Sequence, residues 1–263
     1  MPGQAERHSE PEGPAERRPD HHEKTLWGRR YDGAMWKLFA PILVRRMVRK
    51  GRRAIASLET IDDAIDFVWS FDYMGWSISP YQVRSEIASL LRMANQIHPR
   101  YVLEIGTASG GTLFLFTGIA NPDATLISVD LPDGKFGGKR PESMAQLFKS
   151  FGKEGQTIQL LRADSHDIGT LSKVKDLLAG NTLDLLFIDG DHSYEGVRRD
   201  FEMYSSIVRK GGLVAFHDIC EGPTENVGGV PLFWREVKQK GNAVELIENP
   251  KQDGYGIGIL VIQ

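Results

Sequence analysis

Acids and histidines that directly follow two short apolar runs are the residues in this sequence best suited to chemistry. The runs lie at 183–188 and 213–216, and each is short enough for a strand that is buried on both faces of a parallel sheet. The polar residues around their ends are Asp189, Asp191, His192, His217 and Asp218. Because ligands bind beyond the carboxyl ends of the strands in open α/β sheets, these side chains are expected to meet at one rim of the sheet. Converging carboxylates and imidazoles suit acid–base catalysis, whereas His192 on its own would more simply cap a helix or fill the core.

A glycine-rich turn behind an earlier apolar run predicts a loop that binds a ligand. The segment 101–112 has the pattern of a strand, a turn and the start of a helix. Glycine lets a ligand approach the backbone closely, and the N-terminus of the following helix offers amides and partial positive charge. Many strands and helices are joined by glycine turns, so the prediction also depends on the acid that ends the next strand. The candidate cofactor-binding residues in this segment are Glu104, Gly106, Thr107, Ala108, Ser109 and Gly110.

Two further strand ends carry acids at positions that suit a nucleoside. The strand at 125–130 ends in Asp130, which follows Glu104 by 26 residues. An acid at this place accepts hydrogen bonds from ribose hydroxyls in dinucleotide-binding folds, while the alternative is an aspartate that caps a turn. The strand at 157–161 leads to Asp164, which either helps to hold an adenine or caps the helix that follows. Loops at 132–141 and 221–230 are expected to lie over the same rim.

Strands that alternate with helical stretches predict an α/β fold. Two closing strands at 244–247 and 256–262 have no helical pattern between them. The prediction is a Rossmann-like doubly wound, mostly parallel seven-stranded sheet with an antiparallel last strand, plus N-terminal helices. Ser79 and Pro80 predict the N-cap and first residue of a helix that continues to about residue 94. The chain then divides into a disordered tail at 1–23, a basic amphipathic and aromatic helical segment at 24–78, and the principal domain at 79–263.

Composition and charge restrict the class of protein. The chain of 263 residues is 41% hydrophobic and 25% charged, which is typical of a globular protein. It has a single cysteine, and it has neither a signal-peptide pattern nor an apolar run of membrane-spanning length, so a cytoplasmic location is expected. Residues 24–53 hold ten Lys or Arg and one Asp or Glu, although the whole chain has a net charge of -3. A helix at 34–53, in which Pro41 is a kink or the true start, is expected to pack on the domain or on a partner subunit. Contact of 35–53 with an anionic membrane is the less favoured alternative, and no nucleic-acid partner is expected.

The strand-end pattern resembles that of class I S-adenosylmethionine-dependent methyltransferases over roughly residues 79–263. It consists of the turn from Glu104 to Gly110, the acids at 130, 164 and 189, and a late turn at 211–212. The stretches Ile-Asp-Gly-Asp-His-Ser-Tyr-Glu at 188–195 and Gly-Gly-Leu-Val-Ala-Phe-His-Asp at 211–218 look like one branch of that superfamily, which contains macrolide-sugar O-methyltransferases and the methyltransferase component of cephalosporin biosynthesis. The resemblance implies S-adenosylmethionine as the cofactor, with Asp189 also at the cofactor site.

The same branch implies a divalent metal, usually magnesium. Carried over residue by residue, the metal ligands fall on Asp189, His217 and Asp218, and the general base falls on His192. Two positions depart from the family pattern: Ala108 replaces a glycine, and His217 stands where the sugar enzymes commonly carry an acid. Magnesium prefers oxygen ligands and imidazole suits transition metals, so Asp189 and Asp218 with waters form an alternative ligand set, and a metal-free site is a further alternative.

The predicted function is methyl transfer from S-adenosylmethionine to a hydroxyl of a sugar or other small molecule of natural-product type, by a homo-oligomer. Positioning of the two reactants and removal of the hydroxyl proton are the tasks that such a site must perform. Two other classes compete with this prediction. One is an NAD-dependent oxidoreductase, and the other is a non-catalytic, cofactor-binding subunit whose basic helix docks a partner.

Overall fold

The structure is a computed structural model that describes residues 34–55, 58–73, 76–132 and 144–263, without the side chains of residues 34–41, 53, 54 and 76. The chain divides into two compact units, Met1–Ala40 and Pro41–Gln263, and the core and candidate site described below belong to the second unit. The tail predicted at 1–23 and most of the loop predicted at 132–141 lie outside the described residues.

The elements of the described residues are numbered along the chain. The helices are α1 (Ala34–Ile55), α2 (Ile61–Ser70), α3 (Arg84–Asn95), α4 (Gly111–Ile119), α5 (Met144–Lys149), α6 (Ile168–Leu178), α7 (Tyr194–Tyr204), α8 (Thr224–Val227) and α9 (Val230–Val237). The strands are β1 (Asp72–Tyr73), β2 (Trp76–Ser77), β3 (Tyr101–Ile105), β4 (Thr125–Asp130), β5 (Thr157–Arg162), β6 (Leu183–Ile188), β7 (Val208–His217), β8 (Asn242–Leu246) and β9 (Ile257–Val261). Short 3-10 turns follow α7 at Ser205–Ile207 and α9 at Lys238–Lys240.

Within the described residues, seven strands form one sheet in the order β5-β4-β3-β6-β7-β9-β8. The first five strands in this order pair in parallel, and β9 lies antiparallel to both β7 and β8. This topology confirms the predicted Rossmann-like, mostly parallel sheet with an antiparallel last strand. Because parallel strands share one carboxyl edge, β4, β6 and β7 bring Asp130, Asp189 and His217 to that edge.

Apolar side chains cover both faces of the sheet. Neighbouring residues of β3 point to opposite faces, as a strand requires, so Val102 packs in one core cluster and Leu103 in the other. The first cluster includes apolar residues of α1 to α5, and the second includes apolar residues of α6, α7 and α9. Strands that are buried on both faces explain the continuous apolar runs in the sequence.

The helix predicted from Ser79 begins later than expected. Its first residue is Arg84, its N-cap is Val83, and the segment from Ile78 to Pro80 has no regular structure. The hydroxyl of Ser109 donates to the carbonyl oxygen of Ser79 at 2.6 Å. The Ser-Pro pair therefore supports the glycine turn, and this prediction from the sequence was wrong because it considered only local capping.

The basic helix α1 starts at Ala34 and continues through Pro41, so Pro41 is not its start. Val44 and Met47 are buried in the first core cluster, while Arg45 and Arg49 are exposed. An amphipathic helix that packs on the domain is consistent with this distribution. Among the described residues, every helix is too short or too polar to span a membrane.

Candidate functional site

The glycine turn after β3 packs directly against the end of β6. Gly106 has φ +95°, and a Cβ there would lie 2.7 Å from the carbonyl carbon of Asp189 and closer still to its oxygen. The turn continues through Ala108 at φ +40° to Gly110, the N-cap of α4, which has φ +82°. A side chain at the first position would therefore separate the turn from β6. The predicted cofactor loop and the start of the acid-rich segment are in contact through their backbones.

The beginning of α4 is suited to an anionic group of a ligand. Its N-cap residue Gly110 has no side chain that could satisfy the first amides of the helix. Those amides and the helix dipole favour negative charge, such as the carboxylate of an amino-acid moiety. Thr107 and Ser109 are buried in the turn, where Thr107 Oγ1 lies 2.5 Å from Ser128 Oγ.

Glu104 is a buried carboxyl group beside the glycine turn. It is fully buried, Ser128 Oγ donates to its Oε2 at 2.7 Å, and among the described residues its Oε1 has no hydrogen-bond partner. Burial, together with the charges of Asp189 and Asp130, raises the pKa of Glu104 to about 8, although the Ser128 hydrogen bond acts in the opposite direction. A buried polar oxygen without a partner is costly, so this carboxyl group fits a site that a hydrogen-bonding ligand completes.

The two predicted nucleoside acids lie at the expected strand ends. Asp130 is the last residue of β4, and its carbonyl accepts a hydrogen bond from Ala163 N of the β5 end at 3.0 Å. Asp164 lies beyond β5, where its carboxylate accepts from His166 N at 2.8 Å, which is a turn-forming contact. The cap of α6 is Asp167 and not Asp164. The capping alternative for Asp164 is therefore wrong, and the adenine role stays a prediction.

The half-buried His166 and the buried Asp200 form a pair that the sequence analysis did not identify, and this pair supports the segment beyond β5. His166 Nε2 lies 3.3 Å from Asp200 Oδ1 of α7, and Asp200 is fully buried. Contact with Asp200, partly opposed by burial, raises the pKa of His166. A Cβ at Gly190 would lie 3.4 Å from Asp200 Oδ2, so this carboxylate lies directly beneath the turn that follows Asp189.

Four side chains converge at the carboxyl ends of β6 and β7, and we call them the rim cluster: Asp189, His192, His217 and Asp218. His217 Nδ1 lies 3.2 Å from Asp189 Oδ1 and 3.5 Å from Asp218 Oδ2. His192 Nε2 lies 3.3 Å from Asp189 Oδ1, and its Nδ1 lies 3.4 Å from Asp218 Oδ2. Each imidazole thus contacts both carboxylates, and the structure brings together all of the residues predicted for the metal and for the base.

The electrostatics of the rim cluster are those of two carboxylates facing two imidazoles. Burial alone would raise the pKa of Asp189, but the charges and hydrogen bonds of His217 and His192 hold it well below its usual range. Burial lowers the pKa of each histidine, but the carboxylates outweigh it and raise both pKa values to about 9. Burial raises the pKa of Asp218. The two carboxylates therefore favour the protonated form of each imidazole.

Two contacts fix the rim cluster and were not visible in the sequence. The buried amide of Gln82 donates from Nε2 to Asp189 Oδ2 at 2.7 Å and accepts at Oε1 from Thr112 Oγ1 at 2.9 Å. The carbonyl oxygen of Asn226 contacts His192 Nδ1, which places the loop at 221–230 beside the cluster. Both contacts join residues far apart in sequence, so only a three-dimensional arrangement could identify them.

The residues of the rim cluster fit a divalent cation. Ligand atoms of Asp189, His192 and Asp218 all lie within 4.8 Å of one another. The set implied by the resemblance contains the same two aspartates but has His217 in place of His192. His217 is only 4% exposed, and among the described residues its Nε2 has no hydrogen-bond partner. Two carboxylates satisfy the preference of magnesium for oxygen, while an added imidazole suits a transition metal. A cation would be held by Asp189 and Asp218, with one imidazole available as a further ligand.

Asp191 and Tyr194, which lie close to His192 in the sequence, have structural contacts. Asp191 Oδ1 accepts from Ser193 N at 2.9 Å, and Ser193 caps α7 by accepting from Gly196 N at 3.0 Å. Tyr194 OH donates to Glu236 at 2.9 Å. The capped helix start fixes the chain immediately after His192 and thereby orients that histidine.

Comparison with known proteins identifies the domain that carries this site. Residues 103–219, from β3 to just beyond β7, match the family described as a methyltransferase domain. Uncharacterized protein R132 of Acanthamoeba polyphaga mimivirus is 36% identical over 117 residues, which are 44% of this chain and 50% of that protein. The chain therefore matches about half the length of this relative.

Solved structures share the fold over most of their length. The O-methyltransferase TomG from Streptomyces achromogenes, involved in tomaymycin synthesis and solved with S-adenosylmethionine, is 17% identical, with a TM-score of 0.51 over 79% of this chain and 91% of that chain. An O-methyltransferase from Bacillus cereus, solved with S-adenosylhomocysteine, is 13% identical, with a TM-score of 0.52 over 83% of this chain and 99% of that chain. Identities this low show the fold alone. The methyltransferase-domain family that matches residues 103–219 and the shared fold together support the resemblance to class I S-adenosylmethionine-dependent methyltransferases.

Proposed function

We propose that the chain is an S-adenosylmethionine-dependent O-methyltransferase that acts on a hydroxyl of a sugar or another small natural product with the help of a divalent metal. The observation that carries the proposal is the contact between the glycine turn and the rim cluster, through Gly106 and Asp189. A cofactor bound along that turn would lie next to a cluster of acids and imidazoles. This is the arrangement that methyl transfer to a hydroxyl requires, because the oxygen must approach the methyl group while it loses its proton.

Each group of residues has a separate task in this proposal. The turn from Gly106 to Gly110 and the start of α4 hold the amino-acid part of the cofactor, Asp130 binds its ribose, and Asp164 lies near its adenine. The rim cluster orients the acceptor hydroxyl, and His192 is the candidate base. A divalent ion held by Asp189 and Asp218 would supply positive charge that lowers the pKa of the acceptor hydroxyl and of the neighbouring imidazoles.

The acceptor class rests on similarity and not on a specific contact. TomG is involved in tomaymycin synthesis, and the sequence around Asp189 and His217 resembles the branch that contains macrolide-sugar O-methyltransferases. A hydroxylated small molecule, which can carry a sugar, is therefore the proposed substrate class.

Calorimetric titration with S-adenosylmethionine, S-adenosylhomocysteine and NAD, each with and without magnesium, tests the cofactor part of the proposal. We expect both S-adenosyl compounds to bind and NAD not to bind. Binding of NAD alone would support the oxidoreductase alternative. Methyl transfer is then measured with labelled S-adenosylmethionine and hydroxylated acceptors, in magnesium, in manganese and in excess chelator. Tight S-adenosylmethionine binding without transfer to any hydroxyl would favour a non-catalytic subunit.

A further inference from the structure

Tyr255, which no prediction from the sequence included, lies against the rim cluster. It belongs to the loop between β8 and β9, and the centroid of its ring lies 6.1 Å from that of His217, with the two rings inclined by 63°. Its backbone N donates to Asp218 Oδ1 at 3.2 Å. One residue therefore contacts two of the four members of the cluster, through its ring and through its backbone.

The backbone of Tyr255 has a conformation that is unfavourable for a bulky side chain. Its φ is +63°, in the left-handed region, and both neighbours, Gly254 and Gly256, also have positive φ. A Cβ at Gly256 would lie 2.6 Å from Cys220 Sγ, so the chain passes the end of β7 too closely for any larger residue. Non-glycine residues in this region concentrate at ligand-binding and active sites, where the surrounding structure holds them in place.

Hydrogen bonds hold this loop in position. The buried carboxylate of Glu86 accepts from Gly256 N at 2.9 Å, from Gln252 Nε2 at 2.7 Å and from Glu248 N at 3.1 Å. Cys220 N also donates to the carbonyl oxygen of Tyr255 at 2.9 Å. The loop is thus fixed on both sides of Tyr255, which sets the place of the half-buried ring beside the rim cluster.

We propose that Tyr255 is an acceptor-binding residue, whose ring packs against the flat face of the ring that bears the methylated hydroxyl. This inference rests on the proposed function and deepens it. An aromatic face beside a polar cluster suits a ligand with an apolar C–H or π face on one side and a hydroxyl at its edge. Sugars and hydroxylated aromatic rings share this chemistry, whereas an acyclic diol has no such face.

The test uses binding to the full chain saturated with S-adenosylhomocysteine, so that methyl transfer is not needed. Methyl α-L-rhamnoside, catechol and 1,2-propanediol are titrated by saturation-transfer NMR, and the first two distinguish a sugar from an aromatic acceptor. Tyr255→Gly removes the ring and also relieves the unfavourable φ, Tyr255→Asn is a second variant that tolerates this φ, and Tyr255→Phe keeps the ring. The matched control is Tyr101→Ala, which removes a ring at the amino end of β3, away from the rim.

We expect the affinity for at least one ring probe to fall roughly tenfold in Tyr255→Gly and Tyr255→Asn, and to change little in Tyr255→Phe and Tyr101→Ala. Weak binding of the diol should be the same in every variant. This inference would be overturned if Tyr255→Gly bound the ring probes as tightly as the wild type, or if the wild type bound the ring probes no better than the diol. Normal affinity for S-adenosylhomocysteine would then leave the proposed function standing. A wild-type protein that does not bind S-adenosylhomocysteine would overturn both.

Discussion

The close approach of Gly106 to Asp189 can be tested with a pair of alanine substitutions. Gly106→Ala forces an L side chain into φ +95° and places its Cβ 2.7 Å from the carbonyl carbon of Asp189. Left-handed backbone costs an L residue about 1–2 kcal/mol, and overpacking a rigid contact costs about 1–3 kcal/mol more. We therefore expect the free energy of unfolding to fall by about 2–5 kcal/mol.

Gly180→Ala is the matched control. Gly180 has a similar φ of +85°, and a Cβ there would meet nothing within 4 Å among the described residues. This variant carries the conformational cost alone, and the lower entropy of the unfolded chain, which offsets about 0.4–1 kcal/mol, is common to both alanine variants. The difference between the two variants measures the contact with Asp189.

Urea unfolding provides the assay, because the midpoint reports stability while an unchanged slope shows that the same surface unfolds. Calorimetry with S-adenosylhomocysteine should show that Gly106→Ala also loses cofactor affinity and that Gly180→Ala does not. If the two variants were destabilised equally, to within about 0.5 kcal/mol, the turn and β6 would not be in rigid contact, and the structural basis of the proposed site would be refuted.

Three further substitutions test single residues of the site. Burial raises the pKa of Glu104 from 4.5 to about 8, so the folded protein retains a proton that the unfolded chain releases, and wild-type stability should decrease as pH rises from 4.5 to about 8. Urea unfolding at several pH values should show that Glu104→Gln lacks this part of the pH dependence, and the same pH dependence in both proteins would contradict the raised pKa. Asp130→Ala should weaken S-adenosylmethionine binding by about 1.5–3 kcal/mol in calorimetry if its carboxylate binds the ribose, and unchanged affinity in a folded variant would exclude that role. Asp189→Asn should abolish metal-stimulated turnover, and full activity of both this variant and the wild type in excess chelator would rule out metal assistance.

The sheet was predictable because burial on both faces leaves a clear pattern in the sequence. Leu183–Ile188 and Thr125–Asp130 have the same bounds in the structure as in the sequence analysis, since continuous apolar runs end where the strands reach the polar rim. Strand β7 starts at Val208, earlier than the predicted 213, because it includes Arg209, Lys210 and two glycines ahead of the residues that pair regularly with β6. A strand that continues past its buried part has no apolar signature there.

The candidate site was predictable only where it follows strand ends. Asp189, His217 and Asp218 directly follow or end apolar runs, so the topology alone placed them together. Gln82 and Tyr255 lie in irregular segments, and their importance depends on contacts with residues 107 and 37 positions away in the sequence. Local propensity contains no information about such contacts.

In the proposed function, Asp189 connects the cofactor side of the site to the acceptor side. Its carbonyl group packs on the glycine turn, while its carboxylate accepts from Gln82, which in turn accepts from Thr112 in the first turn of α4. The ionised carboxylate of Asp189 can only accept, so it fixes the donor end of the Gln82 amide, and the hydroxyl of Thr112 donates to the acceptor end. A ligand that shifts the start of α4 must therefore disturb the carboxylate that lies between His192 and His217. Cofactor binding and acceptor binding should be coupled through Gln82, and replacing it with leucine should reduce that coupling even where each ligand still binds alone.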